Sequence, residues 1–201
     1  MKGDMAINFR TTKLLNLIVT LTVFVTLSSV GLAQAEDLGP PIGATAPDIG
    51  KRLDQNGGPR TLTDLMGSKG LVLMFFRSAD WCPYCQAQLI EMNGGTAEIE
   101  SRGYRIAALS YDSPEILKTF TDKRHISFTF LSDPKSEVID LYKLRDPQYP
   151  PGNRAYGVPR PIIFVLDVKG VVRAKLYEES FKVRPPVSAV IGAIDALAAK
   201  S

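Results

Sequence analysis

Two cysteines, one histidine and one tryptophan are all that 201 residues hold of these three types. This scarcity excludes several chemistries. Two cysteines and one distant histidine, His125, do not supply the four ligands of a structural zinc site, so no metal is expected. No cysteine follows the apolar N-terminal stretch, which excludes a lipoprotein anchor. A phosphate-binding loop, a paired-carboxylate site, a serine triad and internal repeats are all missing. The net charge is only +3 at neutral pH. Three positive charges and one negative charge fall within the first 35 residues, leaving +1 for the remainder. The basic balance therefore belongs mostly to the leader and gives no reason to expect nucleic acid as a partner.

That leader has a recognisable grammar. Lys2, Arg10 and Lys13 precede an uncharged stretch from Leu14 to Ala35. Leu14 to Leu27 forms an apolar h-region, and Ala33-Gln34-Ala35 before Glu36 fits a signal-peptidase site. The expectation is a signal peptide over 1–35, a mature domain over 36–201, and a periplasmic or secreted protein. An uncleaved anchor is the alternative, since the uncharged stretch is long enough to span a bilayer. A membrane would be a partner only in that case. Asn16, the Thr and Ser residues and the Ala-x-Ala ending favour removal.

The stretch that organises the rest is Asp80-Trp81-Cys82-Pro83-Tyr84-Cys85. It follows the apolar run Leu71–Phe76, which reads as a buried strand, and precedes a segment that reads as a helix starting near Cys82. A helix N-terminus offers free N–H groups and partial positive charge, which lower the pKa of a thiol placed there. Pro83 suits the first turn, where its missing N–H costs nothing. Cys85 lies one helical turn on, within reach of Cys82 for a disulfide. Cys82 is expected to be the more exposed of the two and the nucleophile. A purely structural disulfide is the competing reading. It fits poorly, because so small a loop restrains the unfolded chain by only about 2 kcal/mol, against nearly 5 for a loop of about 100 residues.

Elsewhere the pattern alternates strands and helices. Residues 46–49 and 60–62 flank a turn at 55–58 and suggest a short hairpin. The CxxC helix should run to Arg102, with a kink or break at Gly94-Gly95. A strand over 104–110 is followed by a helix from Ser113-Pro114 to about Arg124. Residues 128–131 read as an edge strand, and Asp133-Pro134 as the start of another helix. Proline and glycine make 145–161 a loop, 162–167 and 171–177 form a hairpin, and Pro185 to Ala199 is the closing helix. These elements predict an α/β sandwich with a central mixed sheet and helices on both faces.

Trp81-Cys82-Pro83-Tyr84-Cys85 resembles the thioredoxin Trp-Cys-x-x-Cys motif. Ala46-Pro47, Leu109–Ser113, Phe130–Asp133 and Phe164-Val165-Leu166-Asp167-x-x-Gly170 sit where redoxins place such segments. The chain thus resembles the redoxin (alkyl hydroperoxide reductase/thiol-specific antioxidant) group over 42–199. The resemblance implies a thioredoxin-like three-layer sandwich with an N-terminal hairpin extension. It implies Cys82 and Cys85 as the catalytic pair and no cofactor. Partners would be disulfide-bearing protein substrates or peroxide, together with an upstream thiol reductant. Pro161 matches the family's cis-proline, with Pro159 as competitor, and a cis bond there would place Arg160 beside the dithiol. Trp81, Pro83 and Tyr84 complete the implied support. One departure stands out: peroxiredoxins hold their reactive cysteine in Pro-x-x-x-Thr-x-x-Cys, and counting back from Cys82 puts Ala79 at the threonine place. The expected activity is thiol-disulfide exchange, with thiol peroxidase and a non-enzymatic binding module as alternatives. Arg77, Arg154 and Arg160 are candidate sources of positive potential. Asp80 reads as a solvated acid, and His125 as a helix-end charge.

Overall fold

The computed structural model describes residues 37–199. The leader expected over 1–35 lies outside the described residues. Among those described, no helix is long and apolar enough to cross a membrane.

Seven strands form one sheet in the order β2-β1-β5-β4-β3-β6-β7. They are β1 (Arg52–Asp54), β2 (Pro59–Arg60), β3 (Gly70–Phe75), β4 (Tyr104–Ser110), β5 (Thr129–Ser132), β6 (Ile162–Asp167) and β7 (Val172–Leu176). The helices are α1 (Leu62–Leu65), α2 (Pro83–Gly94), α3 (Thr96–Ser101), α4 (Pro114–Arg124), α5 (Glu137–Leu141) and α6 (Val187–Ala198). β3 lies inside the sheet, parallel to β4 and antiparallel to β6, with Val72 opposite both Ile106 and Val165. All six of its residues are buried, and its sequence is apolar throughout because both faces of the sheet are covered. Alternation still sorts the side chains. Val72, Met74 and Phe76 enter a core with Leu89 of α2, Ile99 of α3, Leu117 of α4 and Val190 of α6. Leu71, Leu73 and Phe75 enter a second core with Leu65 of α1 and Val138 and Ile139 of α5. The result is the expected three-layer sandwich.

The helix following the CxxC breaks where two glycines stand, giving α2 and α3 with Gly95 between them. Three expectations need correction. The hairpin strands are Arg52–Asp54 and Pro59–Arg60, shifted from 46–49 and 60–62. Asp54 fixes the register by accepting the N–H groups of Asn56 and Gly58 and Nε of Arg60. The strand expected at an edge is interior, because β1 pairs on its outer side, with Leu53 opposite Ser132. The helix expected from Asp133 begins at Glu137. Ser136 takes a left-handed φ of 58°, while the Asp133 carboxylate reaches forward to the N–H groups of Glu137, Val138 and Ile139.

Candidate redox site

β3 delivers the chain to the N-terminus of α2 through the turn 76–82, and one buried acid shapes that turn. Asp112, just past β4, accepts the Ala79 N–H at 2.7 Å and the hydroxyls of Ser78 and Ser110 at 2.9 Å. Ser78 Oγ in turn accepts the N–H of Asp80 at 3.0 Å. Burial pushes the Asp112 carboxyl up, against the lowering effect of these bonds. Trp81 is half-buried and donates Nε1–H to the Tyr111 hydroxyl at 2.9 Å. Burial raises the Tyr111 phenol, and the bond from Trp81 pulls the other way.

Cys82 is the N-cap of α2, with Pro83 at its first position. Its Sγ accepts the Cys85 N–H at 3.3 Å. The two cysteines form a disulfide with their Cα atoms 5.2 Å apart. Cys82 is 2% exposed and Cys85 0%. Cys82 is the more exposed of the two, as expected, but only by that small margin, since both sulfurs belong to the α2-side core. Pro83 and Tyr84 are the exposed part of the motif, Tyr84 at 41%.

Two loops fold over this dithiol. From 145–161, Tyr149 accepts Arg77 Nη2 at 2.6 Å, and Arg154 lies 5.8 Å from the Trp81 ring centre. From 177–186, Phe181 meets the Tyr84 ring edge-on at 6.1 Å, and Arg184 brings Nη2 to 3.6 Å from Cys85 Sγ. Arg77, 3% exposed, stacks its guanidinium against Phe181 at 4.1 Å, Tyr149 at 4.9 Å and Trp81 at 5.2 Å.

The residues proposed from sequence gather unevenly. Trp81, Pro83, Tyr84, Arg77 and Arg154 join the cysteines directly or through one ring. Pro161 lines a small recess with Gln88, Arg184 and Pro185. Its peptide bond is trans, as are all others among the described residues, which corrects the expected cis bond. The chain arrives already extended, with Arg145 and Pro159 bridged and the Arg160 N–H donated to Leu144 O at 2.7 Å. The ordinary extended bias of a residue before proline suffices for that path. Asp80 is exposed, at the rim of a cleft of about 310 Å³ shared with Gln86, Glu115 and Lys123. His125 ends α4 in the left-handed region, φ 52°. Asp112, Phe181 and Arg184 were not singled out from sequence. For Arg184, the aromatic-cationic run Phe181-Lys182-Val183-Arg184 before two prolines was the available signal.

Comparison with known proteins agrees with this architecture. Residues 42–175 match the AhpC/TSA family. A thiol-disulfide oxidoreductase, ResA of Oceanobacillus iheyensis, is 36% identical over 109 residues, which is 51% of this chain and 54% of that protein. The chain thus spans about half the length of that relative. Peroxiredoxin Bcp of Escherichia coli is 29% identical over 119 residues, 59% of this chain and 74% of that protein. Among solved structures, peroxidoxin BcpB of Mycobacterium tuberculosis superimposes with a TM-score of 0.66 at 21% identity. That alignment covers 82% of this chain and 99% of the other, a likeness of thioredoxin-like fold.

Proposed function

This chain belongs to the AhpC/TSA family, and from that premise we propose that it is a thiol-disulfide oxidoreductase working through Cys82 and Cys85. The carrying observation is a disulfide closed within one helical turn, at the N-terminus of α2, with Cys82 Sγ already accepting a helix N–H. That N–H and the helix dipole favour a thiolate at Cys82 once the pair is reduced. The Cys82 thiolate attacks one sulfur of a substrate disulfide. The substrate's other sulfur leaves as thiolate, and a mixed disulfide forms. Cys85 then attacks Cys82 Sγ, releasing the reduced substrate and restoring the internal disulfide. An upstream thiol reductant must supply the two electrons for the next turn. The grammar of residues 1–35 supports placing this cycle in the periplasm or outside the cell, where disulfide-bearing proteins are the available substrates.

Insulin reduction with dithiothreitol tests the activity. The wild type should accelerate it and Cys82→Ser should abolish the acceleration. Cys85→Ser should accumulate mixed disulfides through Cys82, since the intermediate then has no intramolecular exit. If the wild type is inert and Cys85→Ser traps nothing, the proposal fails.

The Escherichia coli relative, a peroxiredoxin, favours a second reading. The Cys82 thiolate would attack peroxide, taking one oxygen as sulfenic acid and releasing hydroxide. Cys85 would then condense with it, forming the disulfide and water. Hydrogen-peroxide consumption by the reduced protein is its assay.

A further inference from the structure

We propose that Arg184, carried over the dithiol by the segment 177–186, stabilises Cys85 as the leaving thiolate when the Cys82–Cys85 disulfide is opened by attack at Cys82. The role rests on the exchange chemistry proposed above and adds a residue to it. The segment lies beyond the stretch that matches the family, residues 42–175.

The first observation is where Arg184 is held. Segment 177–186 joins β7 to α6 and is fastened along one stripe of α2. Phe181 packs on Tyr84, Pro185 O accepts Gln88 Nε2–H at 3.3 Å, and Val187 N–H donates to Glu91 Oε1 at 3.0 Å. Positions 84, 88 and 91 share a helix face by their spacing, and Cys85 adjoins it. Fastened there, the segment points the Arg184 guanidinium at Cys85 Sγ, 3.6 Å away.

The second observation is what the guanidinium lacks. Among the described residues, its buried Nε has no hydrogen-bond partner and Nη1 reaches only the adjoining Val183 carbonyl at 3.3 Å. Arg77, stacked on Phe181 of the same segment, likewise has a buried Nε with no partner. Among the described residues, no carboxylate comes within ion-pair distance of either cation. A buried guanidinium is costly unless an anion answers it. Burial, and then the nearby Arg77 charge, pull the Arg184 pKa down to about 10. The disulfide beside Arg184 is neutral, so it offers that cation no compensation. The opened pair does.

The step balances without an external acid. An incoming thiolate forms a bond to Cys82 Sγ, the Cys82–Cys85 bond breaks, and its electron pair leaves on Cys85 Sγ, opposite the Arg184 guanidinium. A leaving thiol of lower pKa departs faster, and a nearby cation lowers that pKa. Each sulfur thus has its own donor: the helix N–H at Cys82 and Arg184 at Cys85. Because the reduced form gains this stabilisation and the disulfide does not, Arg184 also moves the couple toward the oxidising side.

The test is a pH profile of Cys85 alkylation by iodoacetamide in Cys82→Ser, with and without Arg184→Gln or Arg184→Lys. With Arg184 present, the midpoint should lie below the ordinary thiol value of about 8.5. Arg184→Gln should raise it by about one unit or more, and Arg184→Lys should recover most of the shift. In the chain with both cysteines, Arg184→Gln should slow reduction by dithiothreitol about tenfold, followed by Trp81 fluorescence. Phe181→Ala keeps the charge but loosens the segment, so it should move the midpoint the same way by less. That variant decides the matter if Arg184→Gln does not fold. Unchanged midpoints would overturn the role and leave Arg184 a packing residue. A shifted midpoint in a protein that fails to reduce insulin would overturn the exchange reading while upholding Arg184 as the stabiliser of the Cys85 thiolate.

Discussion

Ala79 stands where peroxiredoxins carry a threonine, and its N–H is donated to Asp112 at 2.7 Å. Neither a side-chain hydroxyl nor that backbone donor is therefore offered to a peroxide oxygen. A donor aimed at developing charge is typically worth about 3 kcal/mol, on the order of a hundredfold in rate. Stopped-flow oxidation of the reduced protein by hydrogen peroxide should accordingly run at least about a hundredfold slower than in dedicated peroxiredoxins. Completion within milliseconds at micromolar peroxide would promote the peroxidase reading instead. The burial of Asp112 has a consequence for stability. Burial raises the Asp112 carboxyl above its ordinary 3.8, so the native protein keeps a proton at pH values where the unfolded chain has lost it. Folding stability from this group is therefore largest below the ordinary value and declines as pH rises through the raised one. Relative to Asp112→Asn, which has no such titration, the wild type should be more stable near pH 4 than near pH 7 by guanidinium midpoints. The opposite slope would mean that the three hydrogen bonds outweigh burial. At this scale the sequence was informative about the cysteines, because a strand, a CxxC and a helix follow one another locally. It did not tie Asp112 or Arg184 to the site, because they lie 33 residues beyond Ala79 and 99 beyond Cys85, and the run Phe181–Arg184, though visible, carries no local mark of where it folds.

α2 and α3 are one predicted helix broken at a glycine, and the break has a packing cause. A Cβ at Gly95 would collide with the Val187 side chain at the start of α6. The two elements meet closely there, next to the bond from Val187 N–H to Glu91. Valine has little χ1 freedom with which to withdraw. Gly95→Ala should therefore destabilise the fold by about 1–3 kcal/mol, the usual cost of forcing extra volume into a packed contact. A urea midpoint equal to or above wild type would show that alanine's better helix propensity wins. Other elements were legible to differing degrees. The 6-residue strand β3 declared itself by a continuous apolar run and the 7-residue β4 by the apolar stretch Ile106–Leu109 at its centre. The 2- and 3-residue strands of the hairpin did not, since their register is set by the Asp54 side chain. β5 read as an edge because nothing local announces its partner β1, paired through Leu53 and Ser132. The closing helix was evident from its apolar spacing.

For the whole molecule, oxidation state and folding stability form one thermodynamic cycle. A disulfide that closes so short a loop restrains the unfolded chain by only about 2 kcal/mol. If that were its purpose, reducing it would lower stability by about the same amount. The native contacts argue for the other sign. Reduction exchanges a neutral bond for a pair whose anionic form meets the helix N–H at Cys82 and the guanidinium at Cys85. It also gives an anionic partner to Arg184, whose buried Nε has no hydrogen-bond partner among the described residues. A single charge-assisted interaction of this kind is worth about 1.5–3 kcal/mol, enough to cancel or exceed the loop term. The reduced protein should therefore be at least as stable as the oxidised one in guanidinium titrations at neutral pH, with the Cys82→Ser/Cys85→Ser chain showing no dependence on reductant. Because the cycle must close, whatever stability the native reduced form gains appears as a more oxidising couple than the same cysteines have in the unfolded chain. An oxidised form more stable by 2 kcal/mol or more would identify the bond as a staple and remove the basis for a cycling dithiol.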